Sequence, residues 1–146
     1  MTLYLQTKNS LSVSRKLLCI AVTACFAALS PLRGQGNADA VFVPISKYLY
    51  EGDAEKLSAW FFDSIELSFD KEESTVMSRR QAYMMMQSFF DSHQPESFSI
   101  YHSVSKANVK CVVGKLVAEG ENFNLSIFAS NRGDGYKIQK MQIIKE

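Results

Sequence analysis

Between residues 41 and 146 the spacing of apolar positions switches between a helical and a strand period, and those switches mark out the elements. Val41, Phe42, Ile45, Tyr48 and Leu49 recur at helical spacing up to Tyr50. Pro44 must sit in the first turn of that helix or kink it, because it has no amide donor. Gly52-Asp53 then suits a left-handed glycine that closes one helix and an aspartate that caps the next. A second helix, Ala54 to about Phe62, places Leu57, Trp60 and Phe61 at i, i+3 and i+4. From Ser64 to Phe69 the period becomes two, so that Ile65, Leu67 and Phe69 share one strand face and Glu66 looks the other way. Asp70-Lys71-Glu72-Glu73 reads as a solvated turn. Ser78 and Gln81 form a capping box at the start of a third helix. It points Ala82, Met85, Met86, Phe89 and Phe90 toward a core and ends before Pro95.

Beyond Glu96 the chain alternates almost without interruption. Phe98, Ile100, His102 and Val104 share one face, and Val109, Cys111 and Val113 follow a turn at Ala107-Asn108. Phe123, Leu125, Ile127 and Ala129 follow a turn at Glu119–Asn122, and Asn131–Gly135 is a third hairpin loop with glycine where positive φ is expected. The last strand, Tyr136 to Ile144, changes phase between Ile138 and Met141, which predicts a bulge. The order is helix, helix, strand, helix and four strands joined by short turns. It predicts an α+β domain of three N-terminal helices on a curved antiparallel sheet of about five strands.

The first part of the chain has a different character. Lys8, Arg15 and Lys16 precede the uncharged 13-residue run Leu17 to Leu29, which is followed by Ser30-Pro31 and small polar residues. That is the layout of a secretory signal peptide, and the run is shorter than the roughly 20 apolar residues a membrane span needs. The expected division is a signal peptide over residues 1–36, cut near Gly34–Gly36, and one domain over 37–146, exported to the periplasm or beyond. Val22-Thr23-Ala24-Cys25 is a competing lipobox-like pattern that would anchor a lipoprotein at Cys25. From residue 34 onward 12 bases face 15 acids, a net charge of −3 against +1 for the whole chain. Such a domain lacks the basic face that nucleic-acid binding requires. Cys111 is the one cysteine left in it, so no internal disulfide is expected, and the core alone must hold the fold.

The stretch Tyr48-Leu49-Tyr50-Glu51-Gly52-Asp53-Ala54-Glu55-Lys56-Leu57, with Trp60-Phe61-Phe62-Asp63 and the strand Ile65-Glu66-Leu67, resembles the opening of the nuclear transport factor 2-like (cystatin-like) superfamily. Ser78-x-x-Gln81 and the ending Tyr136–Ile143 make the chain most similar to a branch of small secreted bacterial domains of unknown function. The resemblance spans about residues 38 to 146. It implies a sheet wrapped around helices into a cone, with an apolar cavity at the wide end. Some members of the superfamily are ketosteroid isomerases or small dehydratases, whose chemistry needs acids, histidines or tyrosines inside that cavity.

Few residues here could carry such chemistry. On the predicted register His102 shares a face with Phe98 and Ile100 and points into the cavity near Tyr83 or Tyr101, either as a proton-transfer group or as an ordinary rim histidine. Asp63, beside three aromatics, is either a desolvated general base or a turn-forming aspartate. Trp60, Tyr83, Met86 and His102 are the expected cavity lining, and Met84-Met85-Met86 offers adaptable thioether surface. His93 belongs to the third helix's end. Metal-ligand spacings, phosphate loops, dinucleotide fingerprints and a nucleophile elbow are missing, so no cofactor is expected. Three readings remain at this stage. One is an exported, non-catalytic domain that binds a small hydrophobic ligand in its cavity, or a protein partner or second copy on the outer sheet face (Tyr101, Val112, Phe128). Another is a small isomerase- or hydratase-like enzyme. The third is purely structural, a cone closed by Trp60, Phe61 and Met86 that holds no ligand.

Overall fold

In the computed structural model, residues 38–146 are described; the expected signal peptide, its cleavage site and Cys25 lie outside them. Helix α1 (Ala38–Glu51) places Pro44 in the helix interior, past the first turn. It ends as expected. Gly52 takes φ +66°, its amide donates to the Leu49 carbonyl, and the Asp53 amide donates to Tyr48, which closes the helix in a Schellman turn. Asp53 then caps α2 (Ala54–Ser58) by accepting from the Lys56 amide at 2.9 Å.

The second helix is where the helical reading fails. It stops at Ser58, and Phe61 opens strand β1 (Phe61–Phe69) opposite Ile138. Trp60-Phe61-Phe62 therefore leads into a strand and does not end a helix. Leu57 and Phe61 are both fully buried all the same, because the chain reverses between them. Strand β2 (Thr75–Ser78) follows the acidic turn and pairs antiparallel with β1. Helix α3 (Arg79–Ser92) opens with the expected capping box: the Ser78 hydroxyl accepts from the Gln81 amide while the Gln81 side chain accepts from the Ser78 amide. Strands β3 (Pro95–Lys106), β4 (Val109–Ala118), β5 (Glu121–Asn131) and β6 (Tyr136–Lys145) form the predicted meander.

The sheet has six strands in the order β2-β1-β6-β5-β4-β3, one more than expected. It is not wholly antiparallel, since β1 runs parallel to β6. Only α1 and α2 precede the sheet; α3 is inserted between β2 and β3. The fold class holds at the coarser level, as an α+β domain with a curved, unclosed sheet.

One sheet face is apolar almost throughout. Ile65, Leu67, Val112, Leu116, Leu125, Ile127, Ile138, Met141 and Ile143 are buried there against Phe42, Ile45 and Leu49 of α1, Leu57 of α2, and Ala82, Met86 and Phe90 of α3. Each large side chain buried in this way contributes about 1.5–3 kcal/mol. Gly114 belongs to the same packing, because a side-chain carbon there would stand 2.6 Å from the Phe98 ring. Val112, expected on the outer face, is fully buried on the inner one, while Met85, expected in the core, is substantially exposed. Several register shifts interrupt the sheet, including one in β3 at Glu96 and one between Phe61 and Glu66 in the β1–β6 pair; two others matter here. The predicted one in β6 leaves Gln139 unpaired between Phe128↔Lys140 and Ala129↔Ile138; another in β3 lies between Ile100 and His102.

Candidate functional site

The residues proposed to line an interior cavity are not brought together. Met86 is fully buried in the core, and Phe61 beside β6 is equally closed off. Trp60 and Tyr83 are half-buried and pack against the core from its periphery. The concave side of the sheet is thus occupied by the protein's own side chains along the row from Leu57 and Phe61 to Met86 and Leu116.

His102 is displaced by the bulge in β3. Ile100 pairs with Gly114, on the inner face, but His102 pairs with Val113 and Val104 with Cys111, whose neighbours Val112 and Gly114 point inward. One extra residue, Tyr101, reverses the alternation. His102 is consequently exposed and lies off the face of Phe98 and Ile100 that the sequence pattern assigned to it.

Asp63 sits on β1, its side chain 98% exposed, with Oδ1 accepting from Arg79 Nη2 at 2.7 Å. A carboxylate this open to water, tied to an arginine, is not the buried group that its aromatic neighbours suggested. Asp63 and His102 stand on strands separated by β6, β5 and β4. Four strand steps of about 4.8 Å put the two strands roughly 19 Å apart across the sheet. His93 serves structure: its ring stacks on Phe89 (4.9 Å between centroids) and meets Phe123 edge-on, with Nδ1 3.3 Å from the Phe89 carbonyl and Nε2 3.6 Å from Glu121. Burial pushes the Cys111 thiol above its ordinary range, which disfavours the nucleophilic thiolate.

The main concavities among the described residues are open grooves on the surface. One, of about 430 Å³, runs between the N-terminal half of α1 and the bulged half of β3. Phe42, Val43 and Ser46 form one wall, and Ile100, Tyr101, His102 and Ser103 the other. The sequence pattern pointed to His102 but missed Val43, Ser46 and Ser103. Their grouping depends on where the bulge re-aims β3 against α1, a long-range juxtaposition that no local pattern announces. The groove combines the apolar Phe42 and Ile100 with the serines Ser46 and Ser103, while His102, which belongs to the opposite sheet face, borders it at the rim; the composition suits one end of an amphipathic molecule.

The outer sheet face is mixed. Phe128 and Val113 are half-buried there beside Lys115 and Asn124, and the exposed Tyr101 donates its hydroxyl to Asn124 Oδ1 at 3.1 Å. At one end of that face Glu66 Oε1 accepts from Lys140 Nζ at 2.8 Å and from the Ser74 hydroxyl, which holds the Glu66 carboxyl below its ordinary range.

The likeness to known proteins agrees with this architecture. A protein of the DUF4783 family from Bacteroides ovatus ATCC 8483 superposes with a TM-score of 0.68 at 24% identity, over 71% of this chain and 94% of that one. Another from Bacteroides uniformis ATCC 8492 gives 0.67 at 25% identity, over 70% and 94%. A nuclear transport factor 2-like protein of unknown function from Silicibacter pomeroyi DSS-3 gives 0.57 at 14% identity, over 74% and 92%, a likeness of fold alone. No curated protein matches. The profile of the domain of unknown function DUF4783 matches residues 42–143, so the chain belongs to the DUF4783 family, within the nuclear transport factor 2-like fold that its opening motif resembles.

Proposed function

We propose that this chain is an exported, non-catalytic binding domain that takes a small amphipathic ligand in the groove between α1 and β3. The observation that carries the proposal is the pairing of a filled interior with an open groove. Phe61 and Met86 are sealed in the core, whereas Val43, Tyr101, His102 and Ser103 converge on about 430 Å³ of accessible space. The separation of Asp63 and His102 supports binding over the isomerase- or hydratase-like alternative, which needs two titratable groups at one reacting centre. Export rests on the basic and apolar layout of residues 8–29. A partner on the outer sheet face draws less support, because Val112 is in the core and the remaining apolar residues alternate with lysine and asparagine.

The test uses anilinonaphthalene sulfonate, whose fluorescence rises on entering an apolar site. Val43 is 66% exposed, so Val43→Asp leaves the core untouched and places a carboxylate on the groove wall. Affinity for the probe should fall about tenfold in this variant, the cost of an unpaired charge at an apolar contact. Equal binding by both proteins would remove the groove from the proposal. Turnover of a carbonyl substrate, abolished by either His102→Ala or Asp63→Asn, would establish the enzymatic alternative.

A further inference from the structure

Strand β2 closes one end of the sheet, and among the described residues it pairs only with β1. Its outer edge therefore offers unpaired amides and carbonyls, which a protein must cover, charge or use. Here the edge carries apolar surface: Val76 is 69% exposed, and a groove of about 360 Å³ beside it is lined by Thr75, Met77, Gln81, Met84 and Met85. An unpaired strand edge next to an adaptable, methionine-rich groove is the physical recipe for adding another strand.

The sequence around β2 selects the strand. Residues 72–80 read Glu-Glu-Ser-Thr-Val-Met-Ser-Arg-Arg, acidic at one end and basic at the other. An antiparallel partner strand must therefore be acidic where it meets Arg79 and Arg80, and basic where it meets Glu72 and Glu73. A second copy of the same strand meets both conditions. Two-fold symmetry limits the register further. Antiparallel pairs alternate between hydrogen-bonded and non-hydrogen-bonded, and symmetry makes the pair i↔j identical to j↔i. The axis must then pass through a residue opposite its own copy. Centred on Val76, the register matches Ser74 with Ser78, Glu73 with Arg79 and Glu72 with Arg80, each twice. Centred on Thr75 it sets Lys71 against Arg79, and centred on Met77 it leaves Glu73 opposite the neutral Gln81. Only the Val76 register pairs every charge between Glu72 and Arg80.

We infer that β2 is a self-association edge, through which two copies join antiparallel about Val76 into one continuous sheet. The two Val76 side chains meet across the axis at about 5 Å between Cβ atoms. Glu72, Glu73 and Arg80 form no ion pair with other described residues and are available to the second copy. Arg79 engages Asp63 through Nη2 and reaches Glu73 of the copy with its other terminal nitrogen. Arg79 and Arg80 begin α3, so their side chains alone extend the charge match past the strand. So short a run of paired backbone, with exposed ion pairs, gives a weak, salt-sensitive dimer, and this inference does not rest on ligand binding in the α1–β3 groove.

Sedimentation equilibrium up to millimolar concentration at low salt should show a monomer–dimer equilibrium that weakens as salt is added. Glu72→Arg and Arg80→Glu alter exposed residues and leave the fold intact, as circular dichroism will verify. Each variant alone sets like charges together twice and should weaken self-association about tenfold or more. An equimolar mixture of the two restores opposite charges at both positions and should recover the dimer. A monomer at every concentration overturns the inference. So does a dimer insensitive to both variants, or one that mixing does not restore. A dimer lost instead on Val104→Lys, a change on the outer face far from β2, also overturns it, and assigns self-association to that face.

Discussion

Trp60, Phe61 and Phe62 offer the sharpest test of the fold, because a helix and a strand assign them different costs. On a helix starting at Ala54, Trp60 and Phe61 would share the buried stripe with Leu57. In the strand, Phe61 alone is fully buried, opposite Ile138. Trp60 is half-buried at the bend and lends its carbonyl to the Ile138 amide at 2.7 Å, a contact that survives truncation of the side chain. Phe62 turns to the other face, half-buried under the Arg132 guanidinium 4.4 Å from its ring centre. Removing the Phe61 ring deletes a fully packed aromatic, and Phe61→Ala should cost about 3–5 kcal/mol, the range for buried aromatic truncations. Phe62→Ala forfeits partial burial and a surface cation–π contact, about 1–2 kcal/mol in all. Trp60→Ala should fall between them. With a urea slope of about 1.5 kcal/mol/M, Phe61→Ala lowers the midpoint by about 2–3 M and Phe62→Ala by about 1 M. Urea titrations of the three variants, followed by far-ultraviolet circular dichroism, read out the order. A Phe62→Ala loss equal to that of Phe61→Ala would refute the strand assignment. A Phe61→Ala loss below about 1 kcal/mol would refute the filled interior and point to an open cavity in its place.

Gly114→Ala should destabilise the domain by about 1–3 kcal/mol, since its new carbon would stand 2.6 Å from the Phe98 ring and 2.9 Å from the Ser99 carbonyl oxygen. Phe98→Leu should relieve only part of that loss, because the Ser99 contact is with backbone; a fully rescued double variant would show that the strand shifts freely. The Glu66 carboxyl, held low chiefly by Lys140 and then by Ser74, favours the folded state above its unfolded pKa, and that contribution disappears as pH falls through the lower folded value. Lys140→Met should therefore raise the Glu66 titration midpoint measured by carbon-13 NMR toward the ordinary glutamate value and flatten the fall in stability on the acid side. An unchanged midpoint would mean that Lys140 does not reach the carboxyl in solution.

Local signals written into consecutive residues were legible in the sequence. Gly52-Asp53, the Ser78/Gln81 capping box, the hairpin loops and the β6 bulge each follow from a few neighbouring side chains and the backbone they favour. The features that stayed hidden depend on partners distant in the chain. Strand β2 is four residues long and exposed, too short for a period to show, and it exists because β1 supplies its hydrogen bonds. The parallel pairing of β1 with β6 joins segments about seventy residues apart, with nothing local to announce it. Trp60-Phe61-Phe62 satisfies a helical period and a strand start equally well. The same limit governed the candidate site. His102 appeared cavity-facing by simple alternation, and the one unmatched residue at Tyr101 reverses its direction. Asp63 was expected at the turn into the strand; it is instead the third residue of β1, exposed on the sheet and paired with Arg79 from sixteen residues later.

The central claim is that ligand chemistry belongs to the α1–β3 groove and not to the interior. It is tested most directly by mapping amide chemical shifts in nitrogen-15-labelled protein during titration with anilinonaphthalene sulfonate. Saturable shifts confined to Val43, Ser46 and the Ile100–Ser103 segment are expected. Shifts centred on Phe61, Met86 and Leu116, with the groove unaffected, would contradict the account and place the binding site inside the domain.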